Sequence, residues 1–563
     1  MHSRSLPRWI PWLLPPLLAV AAFGITVTHG FAPADDSFLV VENLAIRGIT
    51  WPHLVRVFTS YDPELYIPLT FISYQVDYLI GGLHPWIFHA TNVLLHALNA
   101  LCAGGLLLLC TRNRWMAVAG AALFAVHPLH TEAVAWIAGR KDLLSAFFFL
   151  LAFITYARTR GWKGYTLSLL LFLCALLSKV MALTLPAILV LYDVLLREER
   201  WGRSLKRTVP FALLSIVFFA IALSGKERIV ETTGMLPTIL MAGKSTVFYV
   251  EKFLLPTGLG MLYPFRSAIT VMSPTFFVPL LLVLLTLMLA WRNRRSHPWL
   301  TFGILFTLMT LAPTFLNYHK GGLFFFASDR YAYLPSIGVL LILVEAVGRM
   351  RISRAVITGT TSVVIAFLLT LSLWQTTLWQ DPEKHLRSVL THYPESISAR
   401  VSLAKIERER NNLQAAFDVL REGLPYGDHL KLRVAAALVY AKAGQTTEAA
   451  SMLRGAMELD PMNPEPYYFL GSLEEQLGNR STPEEHYRKA VELDPSYVVA
   501  RTRLGALLLE HGDLEGALVQ ASEALRWNPN DADAHLLMAS ILEALGRTEE
   551  AQVHRDLAAE IRG

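Results

Sequence analysis

The feature that most constrains this chain is a succession of apolar segments that begins near residue 9 and ends near residue 374. A helix that crosses roughly 30 Å of hydrocarbon needs about 20 mostly apolar residues. Shorter helices are tolerated where neighbouring helices bury them in a bundle. Hydrophobic residues make up 53% of the 563-residue chain, more than soluble domains contain. The pattern therefore predicts an integral membrane protein over the first two-thirds of the chain.

Eleven of these segments are predicted spans, so the predicted fold class is all-α, beginning with a polytopic membrane helix bundle. They lie near 9–28, 87–110, 115–130, 143–157, 164–178, 181–196, 208–224, 275–291, 298–316, 333–348 and 355–374. Two other apolar stretches, 65–79 and 236–255, are interrupted by charged or amide side chains. These two are predicted to lie as amphipathic helices at the outer membrane interface.

Lysine and arginine collect in alternate short loops between the predicted spans, for example at 158–163, 197–207 and 349–354. Because short cytoplasmic loops are enriched in basic residues, the alternation predicts a cytoplasmic N-terminus. An odd number of spans then places the C-terminal third on the outer side, which is either periplasmic or extracellular space or the lumen of the endoplasmic reticulum. The bacterial inner membrane is the location we favour.

The C-terminal third has a 34-residue period. Turn glycines, small alanines and helix-ending prolines carry it, namely Gly444, Gly478, Gly512 and Gly546, Ala456, Ala490, Ala524 and Ala558, and Pro461, Pro495 and Pro529. Three position classes with this period predict tetratricopeptide repeats, which stack as an α-solenoid with a concave surface. The segment 397–426 follows the period less closely and is predicted to be a degenerate first repeat. We therefore predict a membrane domain at 1–378 and a repeat domain at 379–563.

Composition argues against several other classes of protein. The formal charge of +5 comes from short basic clusters between apolar segments and not from one soluble face, so no nucleic-acid partner is expected. The three cysteines lie inside apolar segments, which disfavours a disulfide framework or a zinc site. The sequence contains no phosphate-binding glycine loop of the kind that soluble nucleotide-binding domains use.

Asp35 and Asp36 form the first candidate site, just beyond the first predicted span. A carboxylate at the membrane surface can deprotonate an acceptor hydroxyl while the other substrate is anchored in lipid. The alternative is that the two carboxylates merely solvate the end of a helix.

The second candidate site is the motif His127-Pro-Leu-His130-Thr-Glu132, in a short loop between two predicted spans. A His-x-x-His-x-Glu arrangement could hold a divalent metal. Spacing on an irregular loop is weak evidence, however, and no cysteine assists. The metal is therefore unknown, and metal binding is kept only as an alternative.

The same loop continues as Gly139-Arg140-Lys141-Asp142. Arg140 and Lys141 are predicted to bind the phosphate of a donor substrate, since arginine forms charge-assisted bidentate hydrogen bonds to phosphate oxygens. Anchoring at the membrane interface is the alternative for both. Asp142 is expected to support them.

The third candidate site is Ser328-Asp329-Arg330-Tyr-Ala-Tyr333, directly before the tenth predicted span. Asp329 is expected to orient Arg330, which is a further candidate for phosphate binding. Tyr331 and Tyr333 could stack on a sugar, although such tyrosines more often belong to the aromatic belt of a membrane protein. Lys179, between two predicted spans, is another phosphate candidate because a lysine there needs a partner.

These motifs resemble those of the transmembrane-and-tetratricopeptide-repeat protein O-mannosyltransferases. The resemblance is carried, in order, by Asp35-Asp36, Tyr66-x-Pro68-Leu-Thr70, Gly81-Gly-Leu-His-Pro-Trp86 with Asn92 and His96, and His127-Pro-Leu-His-Thr-Glu-Ala-Val134 with Gly139, Arg140 and Asp142. The stretch from His127 to Asp142 is the most specific part. Arg330 with Tyr333-Leu-Pro-Ser336 is similar to the late outer-loop motif of the family, whereas 225–274 is matched only loosely.

The resemblance implies a C-type glycosyltransferase fold (GT-C), in which a multispan bundle transfers a sugar from a polyprenyl-phosphate donor on the outer side. It implies that Asp35 or Asp36 is the catalytic acidic residue of the first outer loop. Family members commonly have longer repeat arrays than this chain, so the identity of the acceptor is the least transferable part.

The leading hypothesis is transfer of a hexose, with mannose favoured, from a polyprenyl-phosphate carrier to a protein Ser or Thr hydroxyl. Asp36, or else Asp35, would accept the hydroxyl proton, while Arg140 and Arg330 stabilise the departing phosphate. The repeat array is the expected surface for the protein acceptor. Two alternatives stay open. One is a non-catalytic membrane scaffold that binds a partner through its repeats; the other is a transporter or a lipid-linked-glycan ligase or polymerase.

Overall fold

A computed structural model describes residues 9–32, 35–59, 61, 65–159, 161–226, 234–265, 269–316, 319–320, 323–479 and 482–562. The chain divides into two compact units, the first made of residues 1–36 and 45–385, the second of residues 37–44 and 386–563. The division lies a few residues beyond the domain boundary predicted from the sequence. In addition, the segment 37–44, which follows the acidic pair, groups with the repeats rather than with the membrane domain.

The first unit consists mainly of helices. Those of nine residues or more are Leu14–Phe23, Trp51–Thr59, Pro68–Gly81, Pro85–Thr111, Arg114–Ala125, Arg140–Arg158, Trp162–Ser178, Leu185–Leu196, Trp201–Lys226, Met235–Leu254, Pro274–Arg292, Pro298–Leu311, Ser336–Arg349 and Arg354–Trp379. Short helical turns lie at Ile10–Leu13, Gly24–Thr28, Pro128–His130, Thr131–Ala135, Ile137–Gly139, Val180–Thr184, Ala312–Thr314 and Asp329–Ala332. The turn Leu44–Ile46 and the helix Pro382–His392 each cross the division between the units.

Each of the eleven predicted spans coincides with a helix, but not all of these helices are long enough to cross a bilayer. In the described part of the chain five are long and apolar enough, Ile10–Thr28, Pro85–Thr111, Trp201–Gly225, Pro274–Arg292 and Arg354–Trp379. Four shorter apolar helices lie at Arg114–Ala125, Trp162–Ser178, Val180–Leu196 and Pro298–Thr314. Helix length thus indicates a membrane protein without establishing eleven spans. One reason is that Pro128 and the polar motif around it end a helix at Ala125.

Local sequence explains where several of these helices begin. Pro85, Pro274 and Pro298 each occupy the first helical turn, where a missing N–H costs nothing. Asn113 caps the next helix by accepting a hydrogen bond from the Met116 N–H at 3.3 Å. The starts of the helices are therefore the part of the boundaries that the sequence specifies most directly.

A small antiparallel sheet interrupts the helical bundle. Its strands are Tyr263–Pro264, His319–Lys320 and Leu323–Ala327, with the last strand in the centre. These strands are not predictable from the sequence, because two of them contain only two residues and carry no alternating pattern. The central strand leads directly into the third candidate motif.

The second unit contains the predicted array of helix pairs. Its helices are Ile397–Glu409, Leu413–Arg421, Leu430–Lys442, Thr446–Leu459, Pro464–Gln476, Thr482–Leu493, Val498–Glu510, Leu514–Trp527, Ala532–Ala544 and Thr548–Arg562, with a short turn at Leu424–Tyr426 and a helical turn at Ser37–Val41. The glycines of the 34-residue period, Gly444, Gly478, Gly512 and Gly546, all have φ between +76° and +83°. Glycine adopts this left-handed conformation at little cost, which is why it recurs at the turn inside each pair.

In the first repeat an asparagine occupies the turn at which the later repeats have a glycine. Asn411, at the corresponding turn between its two helices, has a φ of +66°. Asparagine tolerates this conformation better than other residues with a Cβ atom. The absence of a glycine explains why the sequence period is weak here although the helix pair is present.

Candidate functional site

Asp36 fastens the first candidate loop to the second. Its carboxylate is 1% exposed and accepts two backbone hydrogen bonds of 2.8 Å each, one from the N–H of Ala32 and one from the N–H of Ala138. The second donor is presented by the turn Ile137–Gly139. A Cβ atom on Gly139 would overlap the carbonyl oxygen of Ala133, so glycine is required at this turn.

The environment of Asp36 disfavours its charged form. Burial raises the pKa of the Asp36 carboxyl to about 7, and the nearby Asp35 carboxylate adds to the rise. The two backbone N–H donors and the Lys141 ammonium act in the opposite direction. Asp36 is therefore a buried carboxyl that changes charge near neutral pH.

Asp35 has a different environment from its neighbour. Its side chain is 46% exposed, and one carboxylate oxygen lies 3.2 Å from the Nζ of Lys141. Lys141 itself is almost completely buried. Burial lowers the pKa of the Lys141 ammonium, as do Lys179 and Arg330, while Asp35 opposes this.

Lys179 lies where the chain breaks between the helix Trp162–Ser178 and the turn Val180–Thr184. Its Nζ is 2.5 Å from an oxygen of Asp142, and each of the two side chains is 10% exposed. Burial lowers the pKa of Lys179, with Asp142 acting in the opposite direction and Arg330 adding to the decrease. The second and third candidate motifs are thus brought together at this lysine.

Arg330 is oriented by Glu132, and the expectation that Asp329 would do this is wrong. The Glu132 carboxylate is buried and accepts hydrogen bonds from the Ser328 hydroxyl at 2.8 and 3.0 Å, from the Arg330 N–H at 2.9 Å, and from the Arg330 guanidinium. Burial raises the pKa of Glu132, while Arg330 opposes the rise. Asp329 instead accepts a 2.5 Å hydrogen bond from the hydroxyl of Tyr263, on the small sheet.

Two aromatic rings lie between the three cations. The Trp136 ring has the Lys141 ammonium 5.2 Å and the Arg330 guanidinium 5.0 Å from its centroid. The Tyr331 ring has Arg330 at 4.9 Å and Lys179 at 5.6 Å. Cation–π contacts of this kind help to hold the positive charges near one another, in addition to the carboxylate partner that each cation has. Trp136 was not singled out in the sequence, where only its position between the two parts of the second motif pointed to it.

We call Lys141, Lys179 and Arg330, with their carboxylate partners Asp35, Asp142 and Glu132, the basic cluster. Two of its buried polar atoms, Nε of Arg330 and Oδ2 of Asp142, have no hydrogen-bond partner among the described residues. Buried polar atoms are usually paired, and an unpaired one calls for an explanation. Each cation of the cluster already has a carboxylate partner, so the unused N–H of Arg330 is the group that can donate to an anion such as a phosphate group, whereas the Asp142 oxygen can accept only from a donor such as a hydroxyl.

Arg140 does not belong to the basic cluster. Its guanidinium is fully buried, pairs with Asp77 at 2.7 Å, donates to the Phe88 carbonyl at 2.7 Å and to the Asn92 side chain, and lies over the ring of Tyr74. The predicted role of Arg140 as a phosphate ligand does not fit this geometry, because its hydrogen-bonding groups already face protein atoms.

The two histidines and Tyr333 are packed inside the protein. His127 donates from Nε2 to the Phe253 carbonyl (2.9 Å) and stacks on the Phe253 ring, while His130 contacts the Phe124 carbonyl (2.9 Å) and the Ser336 hydroxyl (3.1 Å). These partners fix both rings and separate them from Glu132, so the three do not form a set of metal ligands. Within the described ranges no group of three His, Cys, Asp or Glu side chains is placed to hold a metal ion.

Tyr333 is 1% exposed, and its hydroxyl lies 2.8 Å from Nδ1 of His96 and 3.2 Å from the Asn99 amide nitrogen. A ring buried in this way cannot stack on a sugar. Tyr331, which is partly exposed and contacts two cations, is the tyrosine placed beside the basic cluster.

Known proteins share sequence similarity with both parts of the chain. Tetratricopeptide-repeat family models match residues 434–498 and 508–554. Solved structures of MamA and of YrrB, described as a tetratricopeptide-repeat protein with an unusual peptide-binding site, cover 28% and 32% of this chain and 94% and 93% of their own. They are 19% and 22% identical to it, with TM-scores of 0.25 and 0.24.

Curated relatives match the N-terminal part as well. The chain is 25% identical over 472 residues to the human protein O-mannosyl-transferase TMTC1, covering 69% of this chain and 52% of that protein. It is 25% identical over 512 residues to human TMTC4, covering 74% and 66% of the two chains. It is 42% identical over 135 residues to Tmtc1 of Drosophila melanogaster, covering 23% and 15%.

The chain thus spans about half the length of the human TMTC1 protein that it matches. The alignment nevertheless covers most of this chain, and the repeat-family matches fall in its C-terminal third. The resemblance found in the sequence is confirmed, and this chain is a homologue of the transmembrane-and-tetratricopeptide-repeat proteins named protein O-mannosyl-transferases.

Proposed function

We propose that this protein transfers a hexose from a polyprenyl-phosphate carrier to a Ser or Thr hydroxyl of a protein. The names of its homologues favour mannose as the hexose. The proposal rests on one observation above all. Three cations from three separate parts of the chain meet beside an exposed carboxylate, and one of them keeps a buried N–H without a partner. A site of this composition suits a reaction in which a phosphate leaves and a hydroxyl loses its proton.

We assign the base to Asp35 and a positioning role to Asp36. Both oxygens of Asp36 are occupied by backbone N–H groups, and the side chain is buried, so an acceptor hydroxyl has no access to it. Asp35 is half-exposed and shares one oxygen with Lys141. Asp36 fixes the position of its neighbour Asp35, because it is hydrogen-bonded to the turn Ile137–Gly139, directly before the helix that carries Lys141.

In the proposed reaction Asp35 accepts the proton of the acceptor hydroxyl as its oxygen bonds to C1 of the hexose. The bond from C1 to the phosphate oxygen breaks at the same time, and polyprenyl phosphate departs with the electron pair. Arg330, Lys179 and Lys141 stabilise the charge that develops on the departing phosphate. A single displacement of this kind inverts the configuration at C1.

The repeat unit is the proposed docking surface for the acceptor. Tetratricopeptide repeats are a protein-binding architecture with an extended concave face. The first repeats line a groove of about 440 Å³ in which Phe417 and Tyr440 are in ring contact at 4.6 Å. With a GT-C bundle of eleven spans and a cytoplasmic N-terminus, the acidic loop and the repeats would both lie outside the cytoplasm. A cysteine introduced at Ser37 should then be labelled by a reagent that cannot cross the membrane.

The proposal is tested by mass spectrometry of extracytoplasmic proteins from cells that express the wild-type chain, the Asp35→Asn/Asp36→Asn double variant, or neither. We expect a protein-linked hexose only with the wild-type chain, while the double variant is expressed at the same level. Identical glycans in all three samples, with loss of a protein complex on removing residues 395–563, would instead support the scaffold alternative. Appearance of the hexose on a lipid-linked glycan and not on protein would support a ligase or polymerase.

A further inference from the structure

A second polar site lies at the far ends of two helices that start or finish at the basic cluster. The helix Arg140–Arg158 begins beside Lys141, and the helix Trp162–Ser178 ends beside Lys179. Their other ends meet at the connection around Gly161. A 17-residue helix is about 25 Å long, so this second site is separated from the basic cluster by most of the thickness of a membrane.

The site is an open cleft of about 690 Å³ lined by Gly161, Trp162, Tyr165, Arg197, Glu199 and Arg207. Its volume lies within the range of about 300–1,000 Å³ that is typical of small-molecule sites. None of these residues takes part in the function proposed above.

A buried polar network forms the base of this cleft. The Asp193 carboxylate is fully buried and accepts hydrogen bonds from the Tyr156 hydroxyl at 2.6 Å, the Ser204 hydroxyl at 3.1 Å and the Arg197 guanidinium at 3.3 Å. Arg197 also donates to the Ala157 carbonyl. Arg197 is thus held in place and largely neutralised by the protein.

Arg207 is the cation of the cleft that the protein does not neutralise. Its guanidinium lies 4.2 Å from the centroid of the Tyr156 ring, and its backbone carbonyl accepts a 2.8 Å hydrogen bond from the Tyr165 hydroxyl. Among the residues that the structure describes, its guanidinium has no hydrogen-bonded partner. Stacking on a ring fixes the guanidinium plane while its N–H groups stay available to an anion.

The surroundings of the cleft are both basic and exposed to lipid. Residues 197–207 contain five Lys or Arg and two Glu. The helix Trp201–Gly225, which carries Arg207, is long and apolar enough to span a membrane. Only 17% of its most apolar stretch is buried against the rest of the protein. Trp162, at the mouth of the cleft, is 73% exposed, as is typical of tryptophan at a membrane interface.

We propose that this cleft binds the phosphate headgroup of an anionic phospholipid. Arg207 contacts the phosphate, while Trp162 and the lipid-facing helix contact the glycerol and acyl chains. A free phosphate ion would use Arg207 but would gain nothing from the exposed apolar surface beside it. Binding here braces the connection between two helices that reach the basic cluster at their opposite ends.

Native mass spectrometry of the full chain, purified in detergent, tests this proposal with phosphatidylglycerol, phosphatidylcholine and inorganic phosphate as probes. We expect preferential retention of phosphatidylglycerol, and a decrease of roughly fivefold in its retention in Arg207→Gln, the effect of losing about one Arg–phosphate contact at a membrane surface. The matched control is Arg203→Gln, which removes the same charge from an exposed position on the same helix outside the cleft. It should bind as the wild type does.

Equal losses in the two variants would overturn the proposal, because they would show diffuse attraction and not a site. Equal retention of phosphatidylcholine, or displacement of the lipid by inorganic phosphate at similar concentrations, would also overturn it. A second variant, Glu199→Gln, keeps the test informative if Arg207→Gln misfolds. It removes a negative charge from the cleft wall, and misfolding could not increase binding. It should increase retention of phosphatidylglycerol about twofold, and unchanged or lower retention would contradict the proposal.

Discussion

Arg140 and Lys141 are neighbours in one motif, yet they belong to two different kinds of site. Arg140 is enclosed by Asp77, Asn92 and the Phe88 carbonyl, so its hydrogen-bonding capacity is used within the protein. Lys141 pairs with a carboxylate that is 46% exposed and shares its surroundings with two more cations. The comparison shows that the role of a cation in a membrane-protein motif depends on how many of its hydrogen-bonding groups already have protein partners. Its position within the motif does not decide that role.

The largest effect is expected at Arg330, the member of the basic cluster with an unpartnered N–H. Arg330→Gln should lower kcat/KM for transfer by about 100–1,000-fold, as the loss of one donor to a developing anion does in other enzymes. Arg330→Lys should recover part of this loss, because it keeps the charge but not the planar fork. Steady-state kinetics on the purified chain measure both. Near-normal turnover in Arg330→Gln would remove the basic cluster from the mechanism.

The buried ion pair between Arg140 and Asp77 should affect stability and not transfer. Arg140→Gln leaves Asp77 buried without its partner and should lower the free energy of unfolding by about 3–5 kcal/mol. Replacing both residues, Arg140→Met with Asp77→Leu, should restore most of the stability, since it removes the uncompensated charge. Thermal unfolding in detergent measures the stability of both variants, and a transfer assay measures the activity of the double variant.

Because Arg140 is placed outside the basic cluster, the double variant Arg140→Met/Asp77→Leu should still transfer sugar. If it is as stable as the wild type but transfers no sugar, Arg140 has a direct role in the reaction and the separation of the two sites fails.

A smaller effect is expected from the titration of Asp36, whose pKa burial raises to about 7. Ionised Asp36 accepts both N–H groups, whereas the protonated form loses one acceptor. Transfer should therefore rise with pH through about 7, and Asp36→Asn should lose this inflection from its residual activity. Because the folded pKa exceeds the unfolded value, the contribution of Asp36 to stability is fully present below about pH 4 and is lost as pH rises to about 7. A pH profile that is identical in wild type and variant would contradict this assignment.

The smallest effects distinguish the two tyrosines of the third motif. Tyr333→Phe removes hydrogen bonds to His96 and Asn99 and should cost roughly 1 kcal/mol of stability with little change in transfer. Tyr331→Ala removes the ring between Arg330 and Lys179 and should raise KM for the donor a few-fold with little change in stability. The opposite pattern, with transfer sensitive to Tyr333 alone, would contradict this assignment of the two tyrosines.

The sequence predicted the repeats well because their period depends on local requirements. A glycine recurs wherever the turn needs a positive φ, and Asn411 weakens the period because another residue can meet that requirement. The sequence also singled out Asp35, Lys141, Lys179 and Arg330 as candidate site residues, since charged residues beside apolar segments need an explanation.

What the sequence could not provide was the pairing of these charges. Asp77 interrupts an apolar stretch 63 residues before Arg140, and no local signal connects the two. Glu132 was considered as a metal ligand, although its partner Arg330 lies 198 residues later. The small sheet that takes Asp329 away from Arg330 is formed by strands too short to leave a pattern. Each of these differences depends on tertiary contacts between distant segments.

The central claim is that Asp35, beside the basic cluster, is the base of a hexosyl transfer, while Asp36 holds it in place. The most direct measurement is transfer of mannose from polyprenyl-phosphate mannose to an acceptor protein by the purified full chain, compared between wild type and Asp35→Asn. The account predicts that the variant keeps its fold and its affinity for the donor but loses transfer by at least about 100-fold. Undiminished transfer by Asp35→Asn would contradict it.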